Sequence, residues 1–75
     1  MAIDKRSQFI KAVGQRISEL RKKKGLSQEA LASKIGIDRV AVGYIEQGRR
    51  RPSLNTIYSI AEALEIRVAD LFKGL

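Results

Sequence analysis

Apolar residues recur at intervals of three and four along the first third of the chain, the spacing of one face of an α-helix. The pattern predicts a frayed end from Met1 to about Asp4, followed by a long amphipathic helix that ends at Lys24. Lysines in the last turn complement the helix dipole, and Gly25 can adopt the left-handed conformation that ends many helices. The residues predicted to face the core are Phe9, Val13, Ile17 and Leu20.

The stretch from Gln28 to Gln47 is predicted to hold two short helices joined by a tight turn. Ser27 can cap the first helix with its hydroxyl, and Asp38 can cap the second with its carboxylate. Gly36 interrupts the pattern because a helix-to-helix turn commonly needs a residue at positive φ, which glycine adopts without a Cβ clash. The residues expected to pack inward around this turn are Leu31, Ala32, Ile35 and Ile37.

The second short helix, 38–47, has two contrasting faces when its residues are placed at about 100° per position. One face can pack, since it carries Ala41, Val42 and Ile45. The other combines a guanidinium, a branched apolar side chain, a glycine and a phenol, which is unusual for a face that only meets solvent. The members of that second face are Arg39, Val40, Gly43, Tyr44 and Gln47.

This second face suits the major groove of DNA, which admits a helix and presents a distinct pattern of donors and acceptors for each base pair. Arg39 can bond the O6 and N7 atoms of guanine, and Val40 can pack on a thymine methyl group. Gly43 would let the helix backbone approach the DNA closely, and Tyr44 can contact a base edge or a phosphate. Partial burial against neighbouring loops is the competing interpretation for Val40 and Tyr44.

Three consecutive arginines follow Gly48, which is predicted to end the second short helix. Cations just beyond a helix that lies in a groove can meet the flanking phosphates and raise affinity without reading sequence. A solvated charged loop is the alternative interpretation. The lysine run before Gly25 has two compatible interpretations, helix capping and phosphate contact. The candidate phosphate contacts from these segments are Lys24, Gln47, Arg49, Arg50 and Arg51.

A fourth helix is predicted from Ser53 to about Glu65, and a fifth over residues 68–73. The apolar residues of the fourth helix cover a wider arc than the ~100° stripe that packing against one neighbour requires. We expect Val68 and Leu71 to close the core. The remaining apolar surface predicts a two-fold dimer contact, for which the candidates are Tyr58, Ile66 and Phe72.

Composition narrows the possible functions. The 75 residues include 15 Lys and Arg against 8 Asp and Glu, a net charge of +7 that favours polyanionic partners. One domain over residues 1–75 is expected, with oligomerisation as a natural supplement to a small core. There is no cysteine, histidine, glycine-rich phosphate loop or evident carboxylate pair, which argues against an enzyme, a disulfide or a zinc site. No signal peptide or membrane span is visible, and we expect a cytoplasmic protein.

The run GLSQEALASKIGIDRVAVGYIEQGRRRPSLNTIYSIAEAL resembles the Cro and C1 type, or XRE-like, helix-turn-helix regulator. The resemblance covers about Arg16 to Phe72. It rests on a glycine in the turn, a small residue where the helices cross, and Ile-Glu-x-Gly at the end of the second helix. Among members, the chain is most similar to controller proteins of restriction-modification systems and to compact phage repressors. The matching motif positions are Gln28, Ala32, Gly36, Val42 and Ile45.

The resemblance implies an all-α fold, a compact five-helix bundle of the lambda-repressor-like DNA-binding type. It implies a sequence-specific transcriptional regulator that binds double-stranded DNA as a homodimer on a nearly palindromic operator, with RNA polymerase as a further candidate partner. It implies a phosphate contact by Gln28 and an ion pair between Arg21 and Glu46 that ties the first helix to the reading helix. Base-facing positions would be Arg39, Val40 and Tyr44. Neither a cofactor, a metal, a small-molecule ligand nor a membrane is expected.

The chain departs from this pattern at Val40 and Ala41, where many relatives carry Ser, Thr or Gln. Specificity is therefore expected to depend on Arg39, on thymine methyl contact and on DNA shape. A different function also fits the sequence: an antitoxin or other basic protein-interaction module whose apolar C-terminal surface binds another protein.

Overall fold

The computed structural model describes residues 4–75, and within that range it consists of four α-helices and one turn of 3-10 helix. The predicted frayed end therefore lies, for residues 1–3, outside the described residues. The all-helical prediction is confirmed for the described part of the chain. The elements are α1 (Lys5–Lys23), α2 (Gln28–Ile35), α3 (Arg39–Glu46), α4 (Leu54–Leu64) and the 3-10 turn η1 (Val68–Leu71).

Each α-helix begins at a side chain that accepts a hydrogen bond from a free backbone N–H of its first turn. The carboxylate of Asp38 accepts from the N–H of Ala41 at 2.8 Å, for example, which confirms its predicted capping role. Gly25 follows the end of α1 at φ +82°, the predicted left-handed conformation. The four N-caps are Asp4, Ser27, Asp38 and Ser53.

The core lies between the helices, with α3 packed against both α1 and α2, and α4 packed against α2 and η1. The eight residues of α3 are thus held from two sides. The apolar side chains buried in the core are Val13, Ile17, Leu31, Ala32, Val42, Ile45, Ile57, Ile60, Ala61, Leu64 and Leu71. Within residues 4–75, no helix is both long and apolar enough to cross a membrane.

The fifth helix predicted over residues 68–73 is not confirmed as an α-helix. The segment forms a single 3-10 turn, with i to i+3 bonds from the N–H of Asp70 to the Arg67 carbonyl and from the N–H of Phe72 to the Ala69 carbonyl. So short a turn buries Leu71 completely but leaves Val68, at its first position, 36% exposed. Leu71 therefore closes the core as predicted, and Val68 does not.

The prediction that Phe9 faces the core is also wrong. Phe9 is 45% exposed, so it does not belong to the buried core. Phe9 instead stacks on Phe72, with ring centroids 6.1 Å apart and ring planes within 7° of parallel. The Arg16 guanidinium donates to the Lys73 carbonyl nearby, so α1 holds the C-terminal residues through two contacts.

The backbones of α1 and of the C-terminal end of α3 approach each other closely at Gly14. A Cβ atom on Gly14 would lie 2.3 Å from the carbonyl oxygen of Ile45 and 2.7 Å from that of Glu46. Both neighbours are backbone atoms that cannot rotate away. Glycine at this position therefore sets the distance between α1 and α3.

Gly14→Ala should lower the free energy of unfolding by about 1–3 kcal/mol or more, because the added methyl group forces the two helices apart. This loss should appear although alanine favours an exposed helix by about 1 kcal/mol over glycine. Urea denaturation measures the change. Gln15→Ala, at the exposed neighbouring position of α1, is the control and should change stability little; equal stability of the two variants would refute the close approach.

Candidate nucleic-acid interface

The turn between α2 and α3 is closed by Gly36. Gly36 has φ +77°, and its N–H and that of Ile37 both donate to the Ala32 carbonyl, at 2.9 and 3.1 Å. Asp38 then starts α3 as its N-cap. The two short helices are thus joined by a tight turn of the kind that the sequence predicted.

The two faces of α3 differ as the helical wheel predicted, with one exception. Ala41, Val42 and Ile45 are buried, while Val40 is 51% and Tyr44 39% exposed. Val40 and Tyr44 are therefore accessible, whereas the competing interpretation placed them against neighbouring loops. The exposed residues of this helix and its C-cap are Arg39, Val40, Tyr44 and Gln47.

Gly43 is the exception, because it is buried and does not belong to the exposed face. The side-chain amide of Gln28 covers it, with Oε1 and Nε2 at 3.7 and 3.8 Å from where a Cβ would lie. A close approach of Gly43 to DNA bases would need the Gln28 side chain to move, and the base contact of Gly43 stays a prediction. A helical wheel places residues around one helix and does not register a side chain that reaches over from another.

A buried ion pair joins α1 to α3. The Nε of Arg21 donates to one carboxylate oxygen of Glu46 at 2.6 Å, and its Nη2 donates to the other at 3.1 Å. Both residues are 7% exposed. This is the ion pair that the resemblance implied, and its bidentate geometry is the strongest form of an arginine–carboxylate contact.

The same ion pair also reaches the loop before α2 and the first residue of α2. Arg21 donates through Nη1 to the carbonyl of Leu26 at 2.7 Å, and Gln28 donates through Nε2 to Glu46 at 3.0 Å. Among residues 4–75, no buried side-chain nitrogen or oxygen lacks a hydrogen-bond partner. The network therefore holds α1, α2 and α3 in one arrangement with its charges fully compensated.

This network changes the interpretation of Gln28. The resemblance implied a phosphate contact, whereas here the side chain is half-buried and bonded to Glu46. One amide N–H remains for a further partner, so a phosphate contact stays a prediction. The observed contact shows that Gln28 also orients α3.

The three arginines after α3 are exposed, and the first of them contacts the exposed face of the helix. The Arg49 guanidinium carbon lies 4.7 Å from the centroid of the Tyr44 ring. The sequence gives no sign of this pair, since no periodic spacing relates a helix to the loop that follows it. Three ion pairs occur in the part of the chain that the structure describes, and none includes Arg39, Arg49, Arg50 or Arg51.

Lys24, unlike these arginines, forms an ion pair. Its ammonium group pairs with the carboxylate of Glu65, which follows α4 in a left-handed conformation at φ +58°. The hydrogen bond and charge of Lys24, with a smaller contribution from Lys34, lower the pKa of the Glu65 carboxyl. A phosphate contact by Lys24 would have to replace this exposed pair, and it stays a prediction.

The three candidates for a dimer contact differ in exposure. Tyr58 is 60% exposed, whereas Ile66 and Phe72 are half-buried against the core. Leu54, one helical turn before Tyr58, is 86% exposed and was not among the candidates. Its i, i+4 spacing to Tyr58 was the signal in the sequence that could have identified it.

The fold and the exposed face of α3 define a class of protein. Two short helices are joined by a glycine turn, and a buried ion pair holds the second helix against the first helix of the chain. That second helix exposes a face of mixed polarity beside several cations, which is the arrangement of a helix-turn-helix DNA-binding protein.

Comparisons with known proteins agree with this class. The family model described as Helix-turn-helix matches residues 17–71. An HTH-type transcriptional regulator of Archaeoglobus fulgidus is 44% identical over 57 residues, covering 76% of this chain and 81% of the relative. The restriction-modification controller protein C.AhdI of Aeromonas hydrophila superposes with a TM-score of 0.82 at 49% identity, covering 84% of this chain and 96% of its own.

The P22 c2 repressor, solved in complex with a synthetic operator, superposes with a TM-score of 0.76 at 30% identity and covers 84% of this chain and 96% of its own. The chain therefore belongs to the helix-turn-helix family of DNA-binding transcriptional regulators. The likeness that the motif suggested is confirmed.

The buried ion pair yields a stability prediction. Arg21→Met should lower the free energy of unfolding by about 3–5 kcal/mol, because it leaves the Glu46 carboxylate buried without its cation. Adding Glu46→Leu should recover much of this loss, since an apolar pair of similar volume needs no compensation. Chemical denaturation of the three proteins measures both steps.

Lys24→Met is the control for the loss of a cation. It breaks the exposed pair with Glu65 and should change stability little, because solvent screens exposed pairs. A double variant no more stable than Arg21→Met would contradict the assigned role of the ion pair.

Proposed function

We propose that this protein binds a nearly palindromic operator as a homodimer, inserts α3 of each subunit into the major groove, and thereby controls transcription at a nearby promoter. The observation that carries this proposal is the exposed face of α3, which combines Arg39 with Val40 and Tyr44 on a helix fixed from inside by Glu46. The P22 c2 repressor, which superposes on this chain, was crystallised with a synthetic operator, and this supports operator binding by this chain.

Base reading falls chiefly to Arg39 and Val40. Arg39 is exposed at the first position of α3, and readers of this class contact base edges with the N-terminal part of the second helix. Its guanidinium can donate to guanine O6 and N7 together, which distinguishes guanine from the other bases. Val40, half exposed beside it, offers an apolar surface to a thymine methyl group.

Phosphate contacts complete the interface. Arg49, Arg50 and Arg51 follow α3 directly and are exposed, as is Gln47 at its C-cap. Positive charge at this end of the reading helix favours the DNA backbone whatever its sequence. The net charge of +7 adds a general attraction to the same polyanion.

The dimer contact is proposed on α4. Leu54 and Tyr58 lie one helical turn apart and form an exposed apolar surface larger than a single scattered side chain would give. Ile66, just beyond the end of the helix, is a further, half-buried candidate. A two-fold contact between such surfaces would present two reading helices to two symmetric half-sites. The protein is proposed to act in the cytoplasm, in contact with the DNA that it regulates.

The same apolar surface favours one alternative. If it bound a different protein, the chain would be the DNA-binding component of an antitoxin or a similar complex. Sedimentation of the purified protein separates the two: a monomer at micromolar concentration that dimerises only with a second protein would favour this alternative.

Arg39→Ala should weaken binding to a duplex selected from random sequence by about 1–3 kcal/mol, because one bidentate guanine contact is lost. Binding to a scrambled duplex of equal length should hardly change. Fluorescence anisotropy titrations at one fixed salt concentration measure both affinities.

Arg67→Ala is the matched control, since Arg67 is 84% exposed in its side chain and precedes η1, away from α3 in the chain. It removes the same charge and should affect the two duplexes equally and slightly. Equal losses on both duplexes for Arg39→Ala would remove Arg39 as a base reader.

A further inference from the structure

The chain folds back onto Tyr44 directly after α3. The backbone N–H groups of Arg49 and Arg50 both donate to the Tyr44 carbonyl, at 2.8 and 3.2 Å, and Gly48 supplies the reversal at φ +74°. These bonds fix where the Arg49 side chain leaves the backbone. Arg49 therefore begins beside the exposed face of the reading helix.

The side chains of Arg49 and Tyr44 are also in contact. The guanidinium carbon lies 4.7 Å from the ring centroid, within the ~6 Å range of a cation–π contact. The donors of a guanidinium lie in its plane, whereas stacking uses its flat face. Arg49 can thus remain on the ring and still offer two N–H groups to one phosphate.

Tyr44 does not present its whole ring to solvent. Arg49 lies over one face of the ring, so that face is not open to a base. A long side chain such as arginine loses rotamer freedom when a contact orders it. Because the Tyr44 ring already holds the guanidinium, Arg49 has less rotamer freedom left to lose when it binds a phosphate.

We propose that Tyr44 is a positioning residue that holds Arg49 ready for a DNA phosphate, and that its hydroxyl does not read sequence. This inference rests on the proposed binding of duplex DNA and changes the role of one residue in it. Tyr44 then contributes equally to every duplex, so Arg39 and Val40 carry the direct reading by α3.

A double-mutant cycle tests the proposal. The proteins are wild type, Tyr44→Phe, Tyr44→Leu, Arg49→Ala and the double variant Tyr44→Leu with Arg49→Ala. Their affinities are measured over a range of salt concentrations for a duplex selected from random sequence and for a scrambled duplex of equal length. Thermal unfolding of each protein reports whether it is folded.

The expected result is a weaker affinity of Tyr44→Leu for both duplexes, by about two- to fivefold, the size of an exposed cation–π contact. Arg49→Ala should make the slope of log affinity against log salt shallower by about 0.9, the release expected for one phosphate. Tyr44→Leu should add little to Arg49→Ala, and Tyr44→Phe, which keeps the ring, should bind both duplexes like wild type.

Two results would overturn the proposal. Additive losses for Tyr44→Leu and Arg49→Ala would show that the two side chains act independently. A loss for Tyr44→Phe on the selected duplex alone would show that the hydroxyl reads a base. Tyr44→Leu combined with Arg51→Ala is the control and should be additive, because Arg51 is not the arginine stacked on Tyr44.

Failure of the proposed function gives a different result. A wild-type protein that binds the selected and scrambled duplexes equally would refute sequence-specific reading, yet coupling between Tyr44 and Arg49 would still appear on both. Wild-type protein that binds neither duplex would overturn both proposals.

Discussion

The buried ion pair between Arg21 and Glu46 is the constraint on which the arrangement of the other elements depends. An isolated helix of eight residues is unstable in water, so α3 takes its position from tertiary contacts. Glu46 is its last residue, and Arg21 and Gln28 hold the carboxylate from α1 and α2. Burying two charges contributes little net stability, but removing either one leaves an uncompensated charge. The ion pair therefore favours this arrangement of the helices over others.

The exposed face of α3 follows from how the helix is held. Its C-terminal end is fixed from inside, where Glu46 is bonded and the backbone meets Gly14 without room for a methyl group. Its N-terminal end is capped by the Asp38 carboxylate, so no neighbouring helix has to cover it. Neither the buried contacts nor the cap occupies Arg39 or Val40, which stay exposed on the outer side of the helix. A rigid helix with a free mixed face is what base recognition needs, since the contacts are made without first ordering the protein.

The sequence predicted the helices well because periodic apolar residues, capping side chains and turn glycines are local signals. It failed where burial depends on other elements. Gly43 lies on the outer arc of its helix but is covered by a side chain from α2, and Phe9 has the right period but stacks on Phe72 outside the buried core. The Arg49–Tyr44 stack joins a loop to a helix without a repeating pattern. The resemblance, by contrast, implied the contact between Arg21 and Glu46, which periodicity alone does not indicate.

Selection of binding sites from random duplexes at one fixed salt concentration tests the central claim, that a symmetric pair of α3 helices reads DNA. The account predicts an enriched sequence with two inverted half-sites whose centres lie about 34 Å apart, one helical turn of DNA. Each half-site should contain a guanine for Arg39 and a neighbouring thymine for Val40. A pool without enrichment, or an enriched sequence without two-fold symmetry, would contradict the claim.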